Sequence, residues 1–301
     1  MYEQVEFTSE GATLRGRLYR PPGVKQPPLV VMAHGFSATI VMTADRYAEA
    51  FHTGGFAVLL YDHRNFGASD GDPRYQIDAA QQVLGYLDAI EFATKLPDVD
   101  ADRIAIWGDS LSGAEVIVAA AIDPRVKAVV AQVPACSAEP APADPDGELF
   151  RAMRDRIVQG GFDPSAEAVR GPLPVVSFDQ MGTPSLLTPL TAYRWFIEYG
   201  GRHNTGWVNR ATRVDPTAYG PYHAGLAAPH LNAALLVLLS PDDEMPGAAP
   251  SVTRAAFDAV PGAKKLVEID GGHFGLVYVP SDEFSHASSA QVAFLREHLQ
   301  P

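Results

Sequence analysis

The sequence predicts an α/β fold in which helices flank a mostly parallel central sheet. Several short apolar runs show no alternation between polar and apolar residues, which is typical of strands that are buried on both faces. Segments with helical periodicity separate these runs along the chain. Because strands that alternate with helices favour parallel pairing with right-handed crossovers, we expect one central sheet with helices packed on it.

The first two elements differ from the rest and predict an antiparallel hairpin. Residues 4–8 and 13–19 alternate polar and apolar side chains, and Glu10-Gly11 supplies a turn between them. The buried strands and their helices follow. Strands are predicted at residues 29–33, 57–61, 104–107, 128–133, 234–239 and 266–269, and helices at residues 44–52, 77–95, 112–122, 252–260 and 287–299.

Residues 137–230 interrupt this pattern, because no clear strand is visible in them. The segment instead shows amphipathic helices at residues 148–158 and 191–199. We expect residues 1–136 and 231–301 to form the core domain, with residues 137–230 as a helical cap inserted into it. The alternative is a small helical domain that has a core of its own.

The composition excludes several classes of partner. The net charge is −13, with 36 acidic and 23 basic residues, so the surface repels nucleic-acid phosphates and anionic membranes. No apolar run approaches the ~20 residues of a membrane span, and the first residues show no signal-peptide pattern. We therefore expect a cytoplasmic protein that acts on a small molecule and binds neither nucleic acid nor membrane. The oligomeric state is left open, and a homodimer is compatible with the sequence.

A candidate nucleophile lies between a predicted strand and a predicted helix. The residues are Gly108-Asp109-Ser110-Leu111-Ser112, and a serine at the apex of a strand–turn–helix unit is typical of a nucleophile elbow. The sharp turn requires small residues two positions before and after the serine. Gly108 satisfies this, and Ser112 replaces the glycine that is usual at the second position. Ser110 is therefore the predicted nucleophile.

A serine hydroxyl is a poor nucleophile at neutral pH and needs a base, which in turn needs a carboxylate to orient it. His273 follows the last predicted strand, and Asp243 follows the strand before it, which gives the chain order Ser, acid, His. We expect His273 to act as the base and Asp243 as the acid. Asp242 is the main rival for the acid, and Asp270 and Glu244 are further candidates.

The same serine block also resembles that of the GDSL hydrolases, because it spells Gly-Asp-Ser-Leu-Ser. The residues from Asp270 to His273 match the Asp-x-x-His pattern of that family as well. Two features oppose this interpretation. The family carries its serine on the first strand, whereas two parallel-type strands precede Ser110 here, and its Gly-x-Asn-Asp block has no match in this sequence.

Further motifs, taken in order with Ser110, resemble an α/β-hydrolase of the dienelactone-hydrolase-like and X-prolyl-peptidase-like group. His34-Gly35-Phe36 matches the oxyanion segment of that group. Residues 62–69 match its Asp-x-Arg-Gly-x-Gly-x-Ser turn, with Asn65 where glycine is usual. Residues 240–246 match its acid-bearing loop, with Ser240 in place of glycine and one residue fewer before the proline. The resemblance covers nearly the whole chain outside residues 137–230.

This resemblance implies a serine hydrolase that cleaves an ester, thioester, amide or lactone through an acyl-enzyme on a triad of Ser110, His273 and Asp243. The backbone N–H groups of Phe36 and Leu111 would hold the oxyanion, which needs such donors in acyl transfer. We expect no metal and no cofactor, because the sequence contains no His-x-x-x-His pair and no cysteine cluster.

Two other functions are weighed. Relatives on this fold act in polyketide-type biosynthesis, which by analogy implies an acyltransferase or an enzyme that makes or breaks carbon–carbon bonds. A non-catalytic ligand-binding relative is the alternative from another class.

The insertion is rich in aromatic residues, which we expect either to line an acyl pocket or to form the core of the insertion. The pocket candidates are Tyr193, Trp195, Trp207 and Tyr222.

Overall fold

The computed structural model describes residues 1–300, and strands and helices alternate through most of them. The strands are β1 (Tyr2–Ser9), β2 (Ala12–Tyr19), β3 (Pro28–Ala33), β4 (Ala57–Tyr61), β5 (Gln76–Ile77), β6 (Asp100–Asp109), β7 (Val126–Gln132), β8 (Val169–Leu173), β9 (Ala211–Val214), β10 (Ala234–Leu239) and β11 (Lys264–Glu268). The helices are α1 (Ala44–Thr53), α2 (Ala79–Ala93), α3 (Ser110–Ile122), α4 (Glu148–Gln159), α5 (Leu190–Gly200), α6 (Ala224–Ala227), α7 (Pro250–Ala259), α8 (Gly272–Gly275) and α9 (Asp282–Leu299).

Eight strands form the central sheet in the order β1-β2-β4-β3-β6-β7-β10-β11. The pairs β1–β2 and β2–β4 are antiparallel, and all the other pairs are parallel. The hairpin turns at Glu10-Gly11, where both residues have positive φ. The predicted fold class, a mostly parallel sheet flanked by helices, is confirmed.

The central strands are buried because helices cover both faces of the sheet. All six residues of β3 are buried, and residues 29–33 alternate between two apolar clusters. Leu29 and Val31 pack in a cluster with α2, α3 and α7, whereas Val30 and Met32 pack in a cluster with α1 and α9. Burying an aliphatic side chain of this size contributes about 1.5–3 kcal/mol. This explains why the parallel strands read as continuous apolar runs rather than alternating ones.

Most predicted elements are present, and the boundaries differ where a cap or a turn determines them. Helix α9 begins at Asp282 rather than at 287, because the Ser281 hydroxyl accepts a hydrogen bond from the Phe284 N–H at 2.9 Å. Helix α3 begins at Ser110 rather than at 112. Strand β7 begins at Val126, two residues before its predicted start.

The expectation that residues 137–230 contain no strand is wrong. Strands β8 and β9 pair antiparallel, and β9 also pairs parallel with β5, which gives a second sheet in the order β5-β9-β8. These strands have five and four residues, and β8 contains Gly171-Pro172. Such short segments carry no periodic signal of their own, because their pairing depends on partners that are distant in sequence.

The two helices predicted in this segment are present, and both pack onto the central sheet assembly. Phe150 and Met153 of α4 belong to the cluster that contains α2 and α3. Trp195 and Phe196 of α5 belong to the cluster that contains α1 and α9. The buried side chains of residues 137–230 therefore extend the two clusters of the sheet. Among residues 1–300, no helix is long and apolar enough to cross a membrane.

Candidate active site

Ser110 lies at the sharp junction of β6 and α3, in a left-handed backbone conformation with φ +54°. A non-glycine residue there is strained, which is typical of functional positions. A side chain at Gly108 would place its Cβ 2.3 Å from the Ser112 carbonyl oxygen, so only glycine fits at that position. The turn therefore presents the Ser110 hydroxyl at the carboxyl edge of the sheet.

His273 and Asp243 lie beside this hydroxyl. The His273 Nε2 atom is 2.8 Å from the Ser110 Oγ, and the Nδ1 atom is 2.7 Å from the Asp243 Oδ2. The side chains of His273 and Asp243 are each only 3% exposed. When Nδ1 donates to the carboxylate, Nε2 is left as an acceptor for the serine proton. The three residues thus form one continuous hydrogen-bonded chain.

Asp242, the rival acid, contacts the backbone of the histidine loop instead of the imidazole. Its Oδ1 accepts hydrogen bonds from the Gly272 N–H at 3.0 Å and the Gly271 N–H at 3.3 Å. The Ser240 hydroxyl donates to the same oxygen at 2.8 Å, and this bond lowers the pKa of the Asp242 carboxyl. The structure thus places Asp243 on the ring and Asp242 under the loop.

The other two candidate acids are also away from the imidazole ring. Asp270 is exposed. Glu244 accepts a hydrogen bond from the His273 backbone N–H at 2.9 Å, and its other oxygen accepts one from the Thr191 hydroxyl in α5. From the sequence, Glu244 was predicted only as a rival acid. Its contact with Thr191 joins the histidine loop to the insertion. The only sign of this role in the sequence is that three carboxylates stand next to one another at residues 242–244.

The predicted oxyanion segment packs directly against the elbow. The Gly35 N–H donates to the Asp109 Oδ1 at 2.8 Å, and a Cβ on Gly35 would lie 2.5 Å from the Asp109 carbonyl oxygen. Burial raises the pKa of the Asp109 carboxyl. Phe36 has a positive φ of +38°, and both it and Leu111 line the cavity that opens at Ser110.

A buried polar cluster behind the elbow was not foreseen from the sequence. The Ser112 Oγ lies 2.8 Å from the His34 carbonyl oxygen, 2.8 Å from the Glu115 Oε2 and 2.9 Å from the His63 Nε2. Burial raises the pKa of the Glu115 carboxyl well above its usual range and lowers that of His63. A protonated Glu115 carboxyl donates to Ser112, which in turn donates its own proton to the His34 carbonyl. The serine in place of the usual glycine was the one available signal.

The turn at residues 62–69 serves the same loop. The Asp62 carboxylate accepts hydrogen bonds from the Ile40 N–H and the Ala68 N–H, each at 3.0 Å. Gly67 has a positive φ of +49°, and a Cβ there would lie 2.2 Å from the carboxylate carbon of Asp62. This explains why the motif requires glycine at that position: the carboxylate fills the space and ties the turn to the segment after Phe36.

A cavity of about 520 Å³ opens at Ser110 and His273, and its wall is mainly apolar. Two of the four predicted aromatic residues, Trp195 and Tyr222, line it. The wall also contains aliphatic and aromatic side chains that were not predicted from the sequence. These are Leu186, Leu187, Met245, Phe196, Phe274 and Val277.

The other two predicted aromatic residues, Tyr193 and Trp207, are not in the cavity wall. Trp207 packs on Gly200, where a Cβ would lie 2.3 Å from the indole ring, and its ring centre is 5.5 Å from that of Phe196. Tyr193 packs against Phe178, with ring centres 5.9 Å apart. Tyr193 belongs to α5, and a helix can present only one face to the cavity, which in α5 is the face of Trp195 and Phe196.

Cys136 also lines the cavity, but its thiol is buried, and burial raises its pKa to about 12. A thiolate is the reactive form of cysteine, so this thiol is a poor nucleophile. Its contribution is to packing in the cavity wall.

Comparison with known proteins agrees with this architecture. The family model of the X-Pro dipeptidyl-peptidases (S15 family) matches residues 10–147. A thiohydrolase of Aspergillus aculeatus is 43% identical over 134 residues, which are 44% of this chain and 42% of that protein. The matched segment therefore spans less than half of that relative's length. A polyketide transferase of Aspergillus fumigatus is 29% identical over 99% of this chain and 98% of its own length.

A solved structure extends the similarity to the whole fold. The α/β-hydrolase of Penicillium sp. sh18 superposes with a TM-score of 0.75 at 27% sequence identity, and the match covers 100% of both chains. The parallel sheet, the strained serine at the strand–helix junction and these similarities lead to one conclusion. The chain is an enzyme of the α/β-hydrolase superfamily.

Proposed function

We propose that this enzyme is a serine hydrolase that cleaves an ester, thioester, amide or lactone through an acyl-enzyme on Ser110. The observation that carries the proposal is the hydrogen-bonded chain from Ser110 through His273 to Asp243, which opens on an apolar cavity. This geometry supplies a nucleophile, a base and a carboxylate that orients the base.

In the acylation step, the Ser110 Oγ attacks the substrate carbonyl while its proton passes to the His273 Nε2. Asp243 holds the imidazole in the required tautomer and stabilises the imidazolium that forms. The backbone N–H groups of Phe36 and Leu111 stabilise the oxyanion. The imidazolium then protonates the leaving group, and the carbonyl re-forms as the ester of Ser110.

In the deacylation step, His273 removes a proton from a water molecule, and the hydroxide attacks the acyl carbonyl. The second tetrahedral intermediate collapses with return of the proton to Ser110. The acid is released, and the enzyme regains its starting state. The small-molecule acyl donor is thus the only partner that this cycle requires besides water.

The insertion serves as a cap that forms the acyl site. Leu186, Leu187, Trp195 and Phe196 come from residues 137–230 and face the cavity together with Phe274 and Val277 of the core. Each buried methylene of a substrate contributes about 0.8 kcal/mol, so this wall favours an apolar acyl group. Glu244 ties the cap to the histidine loop through Thr191, which links the cap to the position of the base.

Acyl transfer is the second candidate, because a polyketide transferase is similar over nearly the full length of both chains. The acylation step is the same, and an alcohol, amine or carbon nucleophile replaces water. Product analysis with rising acceptor concentration separates the two functions. A hydrolase keeps releasing free acid, whereas a transferase diverts most of the acyl groups to the acceptor.

A fluorophosphonate probe tests the proposal, because it phosphonylates only an activated serine. We expect stoichiometric labelling of the wild type and no labelling of Ser110→Ala. Ser137→Ala is the matched control, since Ser137 lies in the same cavity wall outside the hydrogen-bonded chain and its loss should leave labelling intact. Persistent labelling of a folded Ser110→Ala variant would contradict the proposal.

A further inference from the structure

Arg213 in β9 lines the cavity, and it is the only arginine or lysine in the cavity wall among residues 1–300. Its guanidinium carbon lies 5.9 Å from the centre of the Phe36 ring. Phe36 is the residue whose N–H is proposed to face the reacting carbonyl. The cation is therefore close to the reaction centre, within a cavity that is otherwise mainly apolar.

The backbone at Arg213 is fixed from both sides. Strand β9 is the middle strand of the second sheet, where Arg213 pairs with Ile77 of β5 and with Arg170 of β8. The adjacent Thr212 N–H donates to the Tyr75 carbonyl at 2.9 Å. A guanidinium held on such a strand is already positioned for a ligand, which lowers the entropic cost of binding.

The charge of Arg213 is not neutralised within the described chain. No carboxylate in residues 1–300 lies within the 4.0 Å of an ion pair with it. Burial lowers the pKa of Arg213, and the opposing charge is that of Asp215, whose Oδ1 already accepts hydrogen bonds from the N–H and the hydroxyl of Thr217. Arg170 lies directly opposite on the neighbouring strand, and like charges in that position destabilise a sheet.

This arrangement is unusual in a chain with 36 acidic and 23 basic residues, where carboxylates outnumber cations. The Tyr222 hydroxyl in the wall has no hydrogen-bond partner, but it is neutral, and two ionisable groups of the wall already have partners. Asp109 accepts from the Gly35 N–H, and His223 accepts from the Gly225 N–H and contacts the Glu139 carbonyl. The guanidinium is thus a charged donor in the wall that is available to a ligand.

We propose that Arg213 is an anion-binding residue that selects substrates with a carboxylate or phosphate group. A guanidinium binds such groups through two parallel hydrogen bonds. This inference rests on the proposed function, because it names a substrate class for the same site. The anion can belong to the acyl group itself or to the leaving group, and the experiment below distinguishes these two sources.

The test compares charged and neutral substrates in pairs that carry acyl chains of the same length. For the acyl group, the probes are the p-nitrophenyl esters of adipic acid and of its monomethyl ester. For the leaving group, they are the pentanoyl thioesters of coenzyme A and of N-acetylcysteamine. Each is measured with the wild type, Arg213→Met and Arg213→Lys. Arg210→Met is the matched control, because Arg210 is exposed and outside the cavity wall.

We expect Arg213→Met to lower kcat/KM for the anionic member of one pair by roughly 10- to 100-fold, the usual effect of losing a charged hydrogen bond. The neutral member should change by less than about threefold, because methionine keeps the apolar stem. Arg213→Lys should retain part of the preference, and Arg210→Met all of it. Which pair responds identifies the source of the anion.

Equal losses on the charged and neutral members, or no preference in the wild type, would overturn the inference. A failure of the proposed function is visible separately, because the neutral ester then shows no turnover that depends on Ser110. Equilibrium binding to Ser110→Ala provides a readout without turnover. There the anionic ester should bind more tightly than the neutral one, and adding Arg213→Met should remove the difference.

Discussion

At the scale of single residues, three adjacent carboxylates divide the work of placing one histidine. Asp242 holds the Gly271 and Gly272 backbone, Asp243 holds the imidazole, and Glu244 holds the His273 N–H. We therefore expect substitutions of these three carboxylates to differ in their effects on kcat.

Asp243→Asn should lower kcat on the order of 10⁴-fold, because the amide favours the wrong imidazole tautomer. Asp242→Asn should stay within about tenfold of the wild type, since it weakens hydrogen bonds to backbone groups that are worth about 1 kcal/mol each. Steady-state kinetics on an activated ester, with thermal unfolding as a check on folding, measures both. A larger loss in Asp242→Asn would reverse the assignment.

The residues of this chain differ in how well sequence could identify them. Ser110 and His273 follow predicted strands, and parallel strands bring their carboxyl ends to one edge, so chain order alone indicated that they meet. Asp242 and Asp243 are adjacent in a short loop, and the periodicity of the sequence does not show which of two adjacent carboxylates faces the histidine. Arg213 was missed because its strand has four residues and is defined by partners in β5 and β8.

At the scale of elements, the elbow and the loop after β3 form one unit. Gly35 lies so close to Asp109 and Ser110 that a Cβ would approach them to 2.5 Å and 2.9 Å. Ser112 adds a second link through the His34 carbonyl. The position of the proposed oxyanion donors therefore depends on contacts between two elements that are distant in sequence.

Gly35→Ala should displace the loop from the elbow and lower kcat by roughly 10²- to 10³-fold, the usual effect of losing an oxyanion donor. The stability of the sheet should change little, since the substitution lies at a loop. The comparison of kcat with the melting temperature tests this. If the protein melts much earlier and activity falls only in proportion, the loop acts through stability alone.

Glu115 gives the same unit a dependence on pH. Burial raises its pKa above the ordinary value of 4.5, so the folded state keeps the proton while the unfolded state releases it as pH rises. Stability is therefore lost with increasing pH above that value, by up to about 1.4 kcal/mol per pH unit.

Glu115→Gln keeps a donor to Ser112 but cannot ionise. The free energy of unfolding of this variant should depend less steeply on pH than that of the wild type between pH 5 and pH 8. Urea unfolding at several pH values measures the two slopes. Identical slopes would show that Glu115 does not hold its proton in the folded state.

At the scale of the whole molecule, the sheet and the insertion build one cavity. The order of strands and helices in the core was predictable, because every central strand is a buried apolar run. The second sheet was not, because β5, β8 and β9 are short and come from distant parts of the chain. The aliphatic side of the cavity was also not predicted. Leu186 and Leu187 lie in a segment that forms no helix and no strand, so no periodic pattern indicates which way their side chains point.

Narrowing this cavity should shift the preferred acyl length. Leu187→Trp should lower kcat/KM for a hexanoyl ester relative to an acetyl ester by at least about tenfold, because the added ring occupies the space of the longer chain. Leu190→Trp is the matched control, since Leu190 is 64% exposed and outside the wall. An unchanged length preference in Leu187→Trp would place the acyl chain elsewhere.

The central claim is that Ser110 carries the acyl group during turnover, and the most direct test is to trap that intermediate. The enzyme is mixed with an excess of p-nitrophenyl ester, quenched in acid within the burst phase, digested and analysed by mass spectrometry. We expect one acyl group on the peptide that contains Ser110, and none in Ser110→Ala. An acyl group on another residue, or turnover without any acyl-enzyme in the burst phase, would contradict it.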